Sequence, residues 1–207
     1  MKIPRFTSLN SQTGEQSKDM LSLYQRWARI GPTNRSWLIH TPKAGLCLST
    51  FVIVIDPENR ILIGLPKKHG AWPEQGGLPL MHAAELEKEK KYLLPATHLM
   101  MEESPNVAAL RIARKWVGYR DANPSFMMIQ SHVRPSSLWK GESIYSPGAN
   151  HWDICFVYTM HASSLPSQIK PWWKEMKFIL PSEIRELGRG HLDILEEGGF
   201  LKRRVST

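Results

Sequence analysis

The sequence has few cysteines and no long apolar run. Two of its 207 residues are cysteine, Cys47 and Cys155, and a disulfide-stapled secreted scaffold would need more. Both lie in apolar stretches, so we expect reduced thiols in a core. The longest apolar run, around residues 46–55, is much shorter than the ~20 residues of a spanning helix. The first residues lack the apolar segment of a secretory signal, and we expect a cytoplasmic protein without a membrane span.

Acidic residues are scarce relative to basic ones. The chain has 27 Lys and Arg against 19 Asp and Glu, a net charge of +8. Hydrophobic residues make up 42% and charged residues 22%, which is typical of a soluble domain and excludes a disordered chain. The positive charge favours anionic partners such as nucleotides or nucleic acid, and it carries no information about the fold.

The apolar pattern predicts a mixed α+β domain. Residues 46–55 are β-branched and aromatic, residues 56–59 are typical of a turn, and 60–65 read as the return strand of a hairpin. Ser104 and Pro105 favour a helix start, and Gly118 favours its end. The remaining predicted elements are a charged helix over 83–92, strands over 125–133, 151–160 and 174–180, a short helix at Ser182 and a helix over 191–197.

Three parts of the chain differ in character. Residues 1–35 are interpreted as an N-terminal extension with a helix, residues 36–200 as the domain, and residues 201–207 as a basic tail. Residues 66–93 have the irregular and charged character of an insertion within the domain.

The segment 94–119 carries the most specific spacing in the sequence. Glu103 follows Thr97 by six positions, Arg111 follows it by fourteen and Gly118 by twenty-one. This segment resembles the box of the Nudix family, G-x5-E-x7-R-E-U-x-E-E-x-G-U, in which U is aliphatic. The box usually follows a hairpin and the phrase LPGG, where this chain has LPAT. The resemblance covers about residues 40–190 and implies an α/β/α sandwich with a mixed sheet, in which the box forms a loop, a helix and a loop.

Four positions of the box depart from the family, and the first of them is Thr97, which stands where the box has a glycine. Ile112, Lys115 and Trp116 stand where the family has helix glutamates that hold Mg²⁺ or Mn²⁺ against a diphosphate. Such a metal needs hard oxygen ligands, which these residues do not offer. The resemblance implies that the remaining Glu103 and Arg111 support the geometry of loop and helix. The sequence assigns no metal ligand, and Mg²⁺ or Mn²⁺ is expected only if the chain is a hydrolase.

Other carboxylates are candidates for relocated chemistry. Glu102, Glu103 and Asp153 are the candidate catalytic residues, and they would bind the cation in a hydrolase. Alternation places His151 and Asp153 on one face of a strand. A histidine and a carboxylate there could act as general base and orienter, could bind a metal, or could form a hydrogen-bonded polar pair.

The predicted helix also carries candidate ligand-binding residues. The cations Arg111, Arg114 and Lys115 could bind a phosphate without a metal, or they could form a solvated face. Trp116 could stack on a base. Alternatively, the apolar face of Ile112 and Trp116 is covered by the insertion 66–93 or by a partner.

Three functions remain open at this point. The first is a Nudix-like protein without the usual metal-dependent hydrolysis that binds a nucleotide, RNA or a protein. Family members that have lost box glutamates include an RNA-binding subunit of a messenger-RNA cleavage factor and a ribosomal protein. The second is a hydrolase that cleaves a nucleoside diphosphate linked to another group. The third is a structural protein that uses the Ile112 and Trp116 face in a homodimer or with a protein partner.

Overall fold

A mixed β-sheet forms the centre of the molecule. The computed structural model describes residues 46–74, 80–100, 102–135, 150–184, 187 and 189–201. In this part of the chain six strands form one sheet in the order β4-β5-β1-β2-β6, and β3 also pairs with β1. β1 and β5 are parallel, and the other pairs are antiparallel. The strands are β1 (Leu46–Ile55), β2 (Ile61–Pro66), β3 (Ala96–His98), β4 (Ser125–Pro135), β5 (Asn150–His161) and β6 (Trp173–Ile179).

The helix after β3 has the boundaries that its capping residues predict. The Oγ of Ser104 accepts a hydrogen bond from the amide of Val107 at 3.3 Å, and Pro105 is the first helical residue. Gly118 ends the helix in the left-handed conformation at a φ of 112°, which glycine adopts without steric cost. We call residues 105–117 the site helix. The helices are α1 (Ala71–Glu74), α2 (Leu80–Lys88), α3 (Pro105–Arg111), its π-helical continuation Ile112–Val117, the 3₁₀ turn Pro181–Glu183 and α4 (Arg189–Glu197).

Each face of the sheet is covered by a helix. Val52 and Val54 of β1 pack in a core cluster with the site helix. Their neighbours Phe51 and Ile53 point the other way and pack in a second cluster with α4, as the alternation of strand side chains requires. The expected α+β class and the α/β/α sandwich with a mixed sheet are therefore confirmed.

The hairpin of β1 and β2 is held by its turn. Asp56 Oδ1 accepts hydrogen bonds from the amides of Glu58 and Arg60, and Arg60 Nε donates to Asp56 Oδ2 at 2.6 Å. Burial opposes ionisation of Asp56, but these hydrogen bonds and the Arg60 charge prevail and lower its pKa. The turn chemistry of residues 56–59 thus fixes the register of the hairpin.

Other predictions differ from the structure at element ends. The charged helix expected over 83–92 is α2, which ends at Lys88, and Lys90 follows at a φ of 54°. The three-residue strand β3 was not predicted. The extension 1–35, residues 75–79 of the expected insertion and the tail from 202 lie outside the described residues. None of the helices in the described ranges is both long and apolar enough to cross a membrane.

We expect Gly64→Ala to destabilise the fold by about 2 kcal/mol. A Cβ at Gly64 in β2 would lie 2.6 Å from Trp173 Cε3, so the buried indole would have to shift. The matched control is Gly70→Ala, because a Cβ at Gly70 meets nothing within 4 Å. Urea unfolding of both variants measures the difference. Equal stability of the two would show that Trp173 moves without cost.

Candidate functional site

A buried ion pair joins the site helix to the loop before it. Arg111 Nε donates to Glu103 Oε1 at 2.7 Å, and Arg111 Nη2 donates to Glu103 Oε2 at 2.8 Å. Each side chain is only 8% exposed. A bidentate contact of this kind fixes the orientation of both groups and is stronger than a single hydrogen bond.

The same pair reaches β3 and the rest of the loop. Arg111 Nη2 also donates to Thr97 Oγ1 at 3.0 Å and to the carbonyl oxygen of His98 at 3.1 Å. The amide of Met100 donates to Glu103 Oε2 at 2.9 Å. One carboxylate and one guanidinium therefore hold a strand, a loop and a helix in a single arrangement.

The environment of Glu103 favours its ionised form. Burial by itself would raise the pKa of Glu103. The hydrogen bonds from Arg111 and Met100, together with the charge of Arg111, outweigh burial and lower the pKa below its usual value. The Glu103 carboxylate is therefore ionised in the folded protein at neutral pH.

Three tryptophans from other segments cover the inner face of the site helix, on which Trp116 lies. Ile112 and Trp116 are 0% and 1% exposed. The Trp116 ring stacks on Trp72 of α1 at a centroid distance of 4.7 Å and an interplanar angle of 19°. Trp172 meets Trp116 edge-on at 4.9 Å, and Trp173 meets Trp72 edge-on at 5.0 Å. We call Trp72, Trp116, Trp172 and Trp173 the tryptophan cluster.

The cluster is also held by hydrogen bonds. The carbonyl oxygen of Trp116 accepts from Trp172 Nε1 at 3.1 Å and from Trp173 Nε1 at 2.9 Å. These two donors satisfy a carbonyl in the last turn of a helix, where no further helical amide is available. Trp72 Nε1 donates to the carbonyl oxygen of Lys67 at 2.8 Å. The buried Trp116 Nε1 has no partner within the described ranges, so its ring contributes packing area.

Comparison of the fold with solved structures identifies it. No family model matches the sequence, and no curated protein is similar to it in sequence. The MutT protein from Methanosarcina mazei Go1 is 11% identical, with 77% of this chain and 95% of that chain covered and a TM-score of 0.50. The MutT NUDIX hydrolase from Burkholderia pseudomallei is 15% identical, with 73% and 96% covered and a TM-score of 0.50. The chain has a Nudix-like fold. Identities this low establish the fold alone.

The residues of this Nudix-like domain do not fit the metal that the fold suggests. At the positions where a box counted from Thr97 would have its helix glutamates, the chain has Ile112, Lys115 and Trp116, of which two are buried apolar side chains and one is a cation. No group of three or more His, Cys, Asp or Glu side chains that could hold a metal ion occurs among the residues described. Mg²⁺ or Mn²⁺ would therefore lack the oxygen ligands that it requires on this helix.

The predicted catalytic carboxylates are not brought together. Glu103 is engaged by Arg111, and its neighbour Glu102 is exposed at a φ of 61°. Asp153 lies on the same face of β5 as Cys155 and Val157, because strand residues two apart point the same way. Cys155 and Val157 pack in the core cluster that contains α4. Asp153 therefore lies on the opposite face of the sheet from the site helix, which gives no support to a cation shared with Glu102 and Glu103. The side chain of His151 lies outside what the structure describes.

The predicted ligand-binding residues divide into two pairs. Arg111 is buried with its Nε and Nη2 donors engaged, and Trp116 is buried in the tryptophan cluster. This geometry gives no support to phosphate binding by Arg111 or base stacking by Trp116, and both stay predictions. Arg114 and Lys115 are exposed and remain candidates for phosphate binding.

The covering of the site helix comes from two distant segments. Trp72 lies in the expected insertion 66–93, so of the two alternatives for the Ile112 and Trp116 face, the structure supports coverage by the insertion. Trp172 and Trp173 at the start of β6 complete the cover, and sequence analysis did not assign them this role. The sequence signal was the high count of eight tryptophans, but their pairing depends on the contact between β2 and β6.

We expect Glu103→Gln to destabilise the protein by about 3 kcal/mol near pH 7, because the Arg111 charge stays buried without its counterion. The lowered pKa of Glu103 means that its ionised form stabilises the fold above pH 4.5, the ordinary value, and that this contribution is lost as the pH falls through the lowered pKa. The difference between wild type and variant should therefore shrink in acid. Urea unfolding across this pH range measures it.

The control for this prediction is Glu89→Gln. Glu89 forms an ion pair with Lys91 in which both side chains are about half exposed, and such pairs contribute little. A loss at Glu103 no larger than the loss at Glu89, or one that is independent of pH, would contradict the assigned role of the buried pair.

We expect Glu102→Gly to stabilise the protein by about 1 kcal/mol. The φ of 61° at Glu102 is strained for a residue with a Cβ, and the strain disappears in glycine. Glu89→Gly, at an exposed position without a positive φ, should instead be neutral or destabilising. Thermal unfolding compares the variants. Destabilisation at both positions would mean that the Glu102 side chain itself supports the loop.

Proposed function

We propose that the chain is a Nudix-like binding domain that does not carry out metal-dependent hydrolysis. We further propose that its ligand is a phosphate-bearing molecule, a nucleotide or RNA, bound in the cytoplasm. The observation that carries the first part is the burial of Trp116 against Trp72, at a helix position where the family places a metal-binding carboxylate.

The chemistry of hydrolysis supports this proposal. A diphosphate is cleaved when a metal neutralises its charge and positions the attacking water. Here the inner face of the site helix is buried aromatic surface. The box carboxylate Glu103 accepts two hydrogen bonds from Arg111. Recruiting Glu103 to a metal would leave the guanidinium of Arg111 buried without a counterion.

The charge of the chain supports a phosphate-bearing ligand. The net charge of +8 raises the local concentration of anions. Arg114 and Lys115 are exposed on the outer surface of the site helix, where cations can contact phosphate directly.

The other two functions receive less support. Relocated hydrolysis needs carboxylates that converge, and Glu102, Glu103 and Asp153 do not. An interface built on Ile112 and Trp116 receives little support, because both residues are buried within the chain itself.

The test combines metal binding, turnover and ligand binding on the full chain. We expect no saturable Mn²⁺ binding by electron paramagnetic resonance. We also expect no Mg²⁺- or Mn²⁺-dependent product from a panel of nucleoside diphosphate derivatives, with an active Nudix hydrolase as assay control. A fluorescent ADP or a labelled 12-nucleotide RNA should bind in EDTA. Metal-dependent turnover that co-purifies with the protein, or the absence of binding to every phosphate-bearing probe, would overturn the proposal.

A further inference from the structure

The pairing of β2 with β6 brings two basic and aromatic stretches to one place. Residues 67–69 follow the end of β2, and residues 170–174 surround the start of β6. Pro66 pairs with Trp173, and the amide of Lys67 donates to the carbonyl oxygen of Trp172 at 2.8 Å. We call Lys67, Lys68, His69, Lys170, Trp172 and Lys174 the lysine–tryptophan surface.

Two aromatic rings on this surface are partly open to solvent. Trp172 and His69 are each intermediate in exposure, and their ring centroids are 6.0 Å apart. Trp172 is held against the site helix, because its Nε1 donates to the carbonyl oxygen of Trp116 and its ring contacts the Trp116 ring. The amide of Ala71 donates to His69 Nδ1 at 3.1 Å. Both rings are therefore held in place before any ligand arrives, which reduces the entropy lost on binding.

Four lysines lie in the two stretches that carry these rings. Lys67, Lys68 and Lys174 are exposed, and Lys170 is intermediate. One carboxylate, Glu87, lies among them, accepting from the Lys68 amide at 3.2 Å and pairing with Lys174 Nζ at 3.2 Å. These hydrogen bonds lower the pKa of Glu87, so it stays ionised and orients Lys174. Among the side chains that the structure describes, these four ammonium groups outnumber the Glu87 carboxylate and leave the surface positive.

We propose that the lysine–tryptophan surface binds single-stranded nucleic acid. This inference rests on the proposed function and names its ligand class and its site. A base would stack on Trp172 or His69, and the lysines would contact the backbone phosphates. Single-stranded binding uses aromatic rings beside a positive groove, and it tolerates sequence because every base has a stacking face. A duplex does not offer its bases for stacking.

The electrostatic part is tested with Lys67→Gln/Lys68→Gln and the matched control Lys88→Gln/Lys91→Gln. Both double variants remove two exposed charges. Fluorescence anisotropy with a labelled 12-nucleotide RNA over a range of salt gives the slope of log affinity against log salt. Losing two phosphate contacts on a single strand should reduce that slope by about 1.4, and the control should keep the wild-type slope. Equal slopes for the two variants would overturn this site.

The stacking part is tested with Trp172→Ala, after thermal unfolding confirms that the variant folds. Stacking on one aromatic ring predicts a loss of about 5-fold or more in affinity for the RNA. Affinity for an abasic strand of the same length should not change. If Trp172→Ala does not fold, His69→Ala is compared on the same two strands. An equal loss on both strands, or equal affinity of wild type for duplex and single strand, would overturn the proposal.

The outcomes separate this inference from the function on which it rests. If the wild type binds RNA and Lys67→Gln/Lys68→Gln changes that binding no more than its control does, the proposed surface is wrong. The proposed binding function is then unaffected. Wild-type binding to fluorescent ADP without any binding to RNA overturns the ligand class alone. Wild-type binding to an acidic peptide without any binding to phosphate-bearing probes overturns both.

Discussion

The arrangement of the site depends on the ion pair between Glu103 and Arg111. Two charges leave water only when each has a close counterion and further hydrogen bonds. Here Thr97, the His98 carbonyl and the Met100 amide supply those bonds. Because these partners come from β3 and the loop, the pair sets the position of the site helix relative to the sheet. It is a structural device, and its role does not require that the helix carry out chemistry.

The ion pair holds the site helix in position independently of the side chains on its inner face. Ile112 and Trp116 fill the inner face with carbon, and the tryptophan cluster seals it from water. Rings in stacked or edge-on contact add to the stabilisation that their buried area gives, so these contacts stabilise this region of the fold. Ile112 and Trp116 also offer no oxygen ligand to a metal.

Sequence reasoning succeeded where the signal was local. Ser104, Pro105 and Gly118 set the ends of the site helix through backbone geometry that depends on a few neighbouring residues. The β1–β2 hairpin was predictable for the same reason, because its strands and its turn are contiguous. The spacing of Glu103 and Arg111 from Thr97 indicated the Nudix-like fold that the structure has.

Sequence reasoning failed where contacts join segments that are distant along the chain. Trp72 and Trp172 are far apart in sequence, and nothing in either neighbourhood reveals that both rest on Trp116. Asp153 was grouped with Glu102 and Glu103 by residue type, although the alternation of β5 turns it toward the other face of the sheet. Arg111 was considered both as a support of loop and helix together with Glu103 and as a phosphate ligand, and the structure pairs its guanidinium with Glu103.

The tryptophan cluster closes the inner face of the site helix and leaves one of its rings partly exposed. Because the inner face of the site helix is closed, an anion can reach groups only at the edge of that face. Trp172 is the member of the cluster that both contacts Trp116 and is partly exposed. The lysines of the β2 and β6 ends lie around it because those strands pair. Burial of the inner face of the site helix and support of the partly exposed Trp172 ring are therefore two consequences of the same packing.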